Sequence, residues 1–148
     1  MKRVIEYRKL IGVDKDVTLK ELKNIYRNTM KDAHPDKFVN DDAGRIAAEE
    51  NSKAVIEAYH FLVSINNETH EKNKEAYEET INTSNILDFF FEKQVLNIEH
   101  LNGEKYEYIG VPRNTYIKMV NAESFNRFAK RHIYGKFLFR KSGKASEE

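Results

Sequence analysis

The chain has 148 residues, enough for one ordinary domain or two small ones. It contains no cysteine, which excludes a disulfide scaffold, a cysteine nucleophile and a thiolate zinc site. Hydrophobic residues make up 40% and charged residues 33%, with a formal net charge of +1, so the chain folds but has no large overall field to gather nucleic acid or membrane.

The first residues, Met1 to Lys9, are basic but lack the apolar core of a signal peptide, and no later stretch is apolar enough to span a bilayer. The expectation is a cytoplasmic protein with no membrane partner, in which the two Asn-x-Ser/Thr sequons at Asn67 and Asn82 are never glycosylated. Val4, Ile5, Tyr7, Leu10 and Ile11 predict a short apolar-faced helix that Gly12 stops. Thr18 and Glu21 form a capping box, in which each side chain satisfies the other residue's free backbone N–H. Leu19, Leu22, Ile25, Tyr26, Met30 and Ala33 follow at helical spacing, and Pro35 ends the run. Lys20, Lys23, Arg27 and Lys31 repeat at the same spacing on an offset face. A stripe of that kind is ordinarily just a solvated helix face.

A second long helix is predicted from about residue 44 to 65, with Ala47, Ala54, Ala58, Phe61, Leu62 and Ile65 facing inward. A loop-length separation makes the two long helices an antiparallel pair. A shorter charged segment, 68–80, has only Ala76, Tyr77 and Ile81 to anchor it. Residues 82–85 read as a linker, and the apolar run 86–91 must pack somewhere.

The second half changes character. Asn102-Gly103 between strand-like runs predicts a hairpin with a type I′ turn, with Tyr106 and Tyr108 on one face. Pro112 opens a short helix, Ser124 caps another that Gly135 can end, and 136–140 alternate as a strand. The fold class expected is mainly α: a helical hairpin domain, then a small α+β domain with a β-hairpin and one or two short helices.

His34-Pro35-Asp36 follows the capped, basic-faced helix directly. Together with residues 6–13, the Tyr26-Arg27 pair and residues 57–62, this arrangement resembles the J-domain family of co-chaperones, over about residues 3 to 80. The resemblance implies two short helices flanking the long pair and docking on a DnaK-type heat-shock chaperone of the seventy-kilodalton class. In that family the His-Pro-Asp loop triggers ATP hydrolysis by the chaperone. Carried over, the trigger is His34, Pro35 and Asp36, and the docking surface is Lys23, Tyr26 and Arg27 with Lys20, Lys31 and Lys37. A cationic face of this kind steers an acidic partner and makes association salt-sensitive. Three features depart from the pattern: Asn28 stands where another basic residue is common, Ser52 where a bulky core aromatic is common, and the 37–44 loop carries Asp41 and Asp42. A catalytic or metal-binding reading of His34 and Asp36 lacks a nucleophile or third ligand at useful spacing, since His60 and His70 lie on a different helix.

Residues 94–141, carried by Tyr106-Glu107-Tyr108, residues 110–112, 124–128 and 133–140, resemble the KTSC domain, for which RNA binding is suggested. Arg127, Lys130, Arg131 and Lys136 interleave with aromatics, and Tyr106 and Tyr108 form either a stacking platform or a cross-strand packing pair. The expected layout is a J-domain at 1–81, a linker or packing segment at 82–93, a KTSC-like domain at 94–141 and a disordered tail at 142–148. The function expected is that of a co-chaperone, itself no enzyme and without cofactor or metal, whose C-terminal module selects a specific protein client. The alternative is an RNA-binding adaptor acting through that module.

Overall fold

The computed structural model describes residues 2–33 and 40–142, in two compact units that divide between Thr69 and His70. The fold class is the one the sequence implies: a helical unit followed by a small α+β unit.

The first unit is built on α1 (Lys2–Ile11), α2 (Leu19–Ala33) and α3 (Asp42–Ile65). The capping box at the start of α2 is made in both directions, with Thr18 N–H on Glu21 Oε1 at 3.0 Å and Glu21 N–H on Thr18 Oγ1 at 3.1 Å. Asp41 caps α3 by accepting from the Gly44 N–H at 3.0 Å. The two long helices run antiparallel: Asn66, just past the end of α3, donates to the Val17 carbonyl ahead of α2, while Tyr26 lies on Tyr59 midway along. Val4, Ile11 and Leu22 pack against Ala48, Val55, Ala58, Phe61, Leu62 and Ile65. The inward face of α3 begins one residue off the expected phase, because Ala48 is buried and Ala47 and Ala54 are exposed. Alanine carries too little apolar area to fix a helix face by itself, and the larger Val55, Phe61 and Leu62 decide the rotation. Ser52 is buried there, its hydroxyl without a hydrogen-bond partner among the described residues, at the position where the J-domain family commonly has a bulky aromatic.

The helix α4 (Asn67–Thr83) starts in the first unit, where Glu68 accepts from the Leu19 N–H at 3.3 Å, and enters the second within one turn. The second unit adds a four-stranded antiparallel sheet in sequence order, β1 (Ile86–Glu92), β2 (Val95–His100), β3 (Lys105–Ile109) and β4 (Leu138–Lys141), with α5 (Arg113–Val120) and α6 (Phe125–His132) between β3 and β4. The 82–93 segment, expected as a linker or packing segment, packs: α4 runs on to Thr83 and the apolar run is the edge strand β1, with Phe89 and Phe91 turned to the core. Tyr77 on α4 belongs to the core of the second unit, so the helix expected to close the J-domain supplies a side of its neighbour.

Alternation along the strands puts Phe89, Phe91, Leu96, Ile98, His100, Tyr106, Tyr108 and Phe139 on one face. All three helices cover that face: α4 lies by β3 and β4 through Tyr77 against Tyr106 and Phe139, and α5 and α6 lie by β1 through Tyr116 and Phe125 against Phe89. The free edge of β1 is blunted, because its Ile86 N–H is taken by Asn126 Oδ1 and its Phe89 N–H by Asp88 Oδ1.

The hairpin at Asn102-Gly103 exists, but its turn is not type I′. Only Gly103 has positive φ (89°), the Gly103 N–H bonds the His100 carbonyl, and four residues separate the strands. Asn102 instead uses its side chain, accepting from the Glu104 N–H and donating to Thr80 Oγ1. The tight two-residue turn lies at Lys93-Gln94, with φ of 51° and 64°.

Candidate functional site

The capping box fixes where α2 begins, and that sets the direction of every side chain after it. Leu22 points inward and is fully buried, with Ile25 and Met30 half-buried beside it. Lys20, Lys23, Arg27 and Lys31 then fall on the solvent side, all exposed. Among the described residues none of the four is held in an ion pair, so their charge is open to a partner. Tyr26 sits at the margin of this row, half-buried and stacked on Tyr59 with ring centres 4.0 Å apart and planes 9° off parallel. Burial pushes its hydroxyl pKa up from the ordinary tyrosine value, so it remains a neutral donor between cations. On the neighbouring positions of α3, Tyr7 bonds Glu57 and meets Phe61 edge-on, and the Arg3 guanidinium lies 4.3 Å from the Phe61 ring centre. These contacts stiffen α1 against α3, which in turn holds α2.

The structure thus brings Lys20, Lys23, Tyr26, Arg27 and Lys31 together on one helix. His34, Pro35, Asp36 and Lys37 lie outside the described residues, directly beyond the end of α2.

In the second unit the expected nucleic-acid residues separate into two groups. Arg127, Lys130, Arg131 and Lys136 are exposed, but Tyr106 and Tyr108 are buried, at 2% and 0% exposure. The tyrosine pair is no stacking platform. The β3 alternation turns both rings into the sheet–helix core, where Tyr108 shares a 2.9 Å hydrogen bond with the Tyr77 hydroxyl. Burial raises the hydroxyls of Tyr77 and Tyr106 to about 12 and lifts those of Tyr108 and Tyr134 further. All four are neutral near pH 7 and structural. The sequence signal for this cluster was the Tyr-x-Tyr alternation together with Tyr77; missing was the link between a weakly apolar helix and a strand 31 residues away. Among the described residues no group of three or more acidic or histidine side chains is placed to hold a metal ion, and no helix is long and apolar enough to cross a membrane.

Comparison with known proteins agrees with this division. Residues 6–78 match the family model of the DnaJ domain, and residues 75–137 match that of the KTSC domain. The chain carries a J-domain followed by a KTSC domain, and the two matches meet on α4. Over 58 residues it is 40% identical to the chaperone protein DnaJ of Fusobacterium nucleatum, covering 38% of this chain and 15% of that one. It is 39% identical over 57 residues to the DnaJ of Hydrogenobacter thermophilus, at the same coverage of 38% and 15%. The chain thus spans about 15% of the length of these curated relatives. A crystal structure of a KTSC domain protein from Yersinia pestis is 35% identical, covering 40% of this chain and 86% of that one, with a TM-score of 0.38.

Proposed function

We propose that this protein is a J-domain co-chaperone. It docks on a DnaK-type heat-shock chaperone through the cationic face of α2 and stimulates that chaperone's ATP hydrolysis through His34, Pro35 and Asp36. The ATP chemistry belongs to the partner; this chain supplies contact and no catalytic group or cofactor. The KTSC unit acts as the targeting module that brings a protein client or complex to the chaperone. The observation that carries the reading is the row Lys20, Lys23, Arg27 and Lys31, exposed on one helix and in no ion pair among the described residues, with His34-Pro35-Asp36 next in the sequence after the helix's last residue, Ala33. Four exposed cations on one face suit an acidic docking surface approached in the cytoplasm.

Single-turnover ATP hydrolysis by a DnaK-type chaperone is the test. The wild-type chain is expected to accelerate it, with the effect weakening as salt rises. Lys23→Glu with Arg27→Glu is expected to weaken docking, and His34→Gln to abolish stimulation with thermal stability unchanged. Unaltered hydrolysis in the presence of the wild-type chain would remove the proposal.

A further inference from the structure

The helix layer of the KTSC unit has an unusual distribution of charge. On α4, Glu71, Glu75, Glu78 and Glu79 are exposed and share one face, three or four residues apart around Glu75. Like charges at that spacing repel and cost a helix stability. Lys72 and Lys74 are exposed on the same helix and offset part of this charge, but none of the four glutamates is held in an ion pair among the described residues, and the helix stays net acidic. On α6, Arg127, Lys130 and Arg131 are exposed at the same spacing and are equally unpaired, with Arg113 and Lys118 on α5 beside them. Residues 111–142 contain a single acidic residue, Glu123.

Both halves lie in one layer. The helices α4, α5 and α6 cover the same sheet face, α4 toward β3 and β4, α5 and α6 toward β1. Their outer sides form one surface that is anionic at one end and cationic at the other. Glu71 to Glu79 covers nine residues, about 13 Å of helix, and the eight residues of α6 about 12 Å, with its cations in the central part from Arg127 to Arg131. The cationic half also exposes Ile117, Val120 and Phe125, at 44%, 47% and 41%.

A surface that is negative at one end and positive at the other is complementary to itself after a half-turn. We propose that the KTSC unit self-associates through this helix layer, α4 of one copy lying on α5 and α6 of a second, and reciprocally. Each dimer then makes two equivalent α4–α6 contacts, with Ile117, Val120 and Phe125 supplying apolar area that charge alone lacks. The pairing relieves the repulsion along α4 and gives a dimer that carries two J-domains.

Sedimentation velocity of the full chain at low and high salt tests this. The wild type is expected to be dimeric at low salt and to dissociate as salt screens the contact. Arg127→Glu, Lys130→Glu and Arg131→Glu together are expected to give a monomer, and so are Glu71→Lys, Glu75→Lys and Glu78→Lys together. An equimolar mixture of the two variants is expected to dimerise again, because each reversed helix then faces an opposite one. A misfolded variant cannot produce that rescue. A wild type that stays monomeric at low salt overturns the proposal, as does a dimer indifferent to both charge reversals. A monomer that instead retains RNA or anionic vesicles through Arg127, Lys130 and Arg131 overturns it as well.

Discussion

His100 is fully buried in the KTSC unit, at the end of β2. Its Nδ1 bonds the Ser84 carbonyl at 3.2 Å, which makes Nδ1 the protonated nitrogen, and its Nε2 is buried with no partner. A second proton on Nε2 would put a charge on a buried nitrogen with no acceptor among the described residues. Burial accordingly lowers the His100 pKa, against the opposing pull of the Ser84 carbonyl and the Glu104 carboxylate. His70 is lowered too, by burial against its bond to the Phe139 carbonyl. In both cases the folded pKa lies below the unfolded one, so the unfolded chain binds more protons at mildly acidic pH. Their contribution to stability is complete above the unfolded value of about 6.5 and is lost as pH falls through the folded one. The melting temperature of the KTSC unit is therefore expected to drop as pH falls below the unfolded histidine value of about 6.5. His100→Asn keeps a donor for Ser84 and removes the titrating ring, so its melting temperature should depend less steeply on pH. An identical slope in that variant would show that His100 does not titrate on unfolding.

At the scale of elements, the turn between β1 and β2 carries the clearest local conflict. Lys93 and Gln94 both adopt left-handed φ, which costs a residue with a Cβ on the order of 1 kcal/mol. The conformation is held because the Gln94 carbonyl accepts from both the Gly110 and Val111 N–H groups at 3.0 Å, tying the turn to the end of β3. Those bonds use only backbone, so Asn-Gly can replace the pair without losing them. Lys93→Asn with Gln94→Gly is expected to raise the stability of the KTSC unit by about 1 kcal/mol, as a higher urea midpoint with an unchanged m-value. This turn also marks what the sequence conceals. Asn102-Gly103 announced itself through residue type, and a hairpin is there, although Asn102 spends its side chain on Thr80 and Glu104 rather than turning left-handed. Lys93-Gln94 gave no signal, because tertiary hydrogen bonds and not propensity select its geometry. Two helix starts were legible for the opposite reason: the Thr18–Glu21 box and the Ser124 cap are local chemistry, complete within three residues, whereas the Asp41 cap, which starts α3 two residues ahead of the expected position, went unread. The cationic row on α2 was legible as a periodicity, since exposed residues need no long-range partner to take their places.

At the scale of the whole chain, the boundary between the units was the hardest feature to read. The segment 67–83 is strongly charged, and its few apolar residues give no direction for packing. What assigns it is Tyr77, buried by contacts that arrive from β3 and β4: edge-on to Tyr106 at 4.9 Å, stacked on Phe139 at 4.1 Å and bonded to the Tyr108 hydroxyl. No sequence periodicity carries information about partners 29 to 62 positions away. The core of the first unit, by contrast, closes among α1, α2 and α3, and its buried residues from Val4 to Ile65 do not call on α4. Tyr77→Ala separates the two assignments. Removing a buried aromatic ring costs about 3–5 kcal/mol, and the mutation also leaves the Tyr108 hydroxyl buried without its partner. A small unit has a total stability of about 5–15 kcal/mol, so this loss consumes much of it. Hydrogen exchange of the variant is expected to show amides of β2 and β3 losing protection while those of α2 and α3 keep theirs. If α4 instead served chiefly to close the J-domain, protection would fall in α2 and α3 and persist in the sheet.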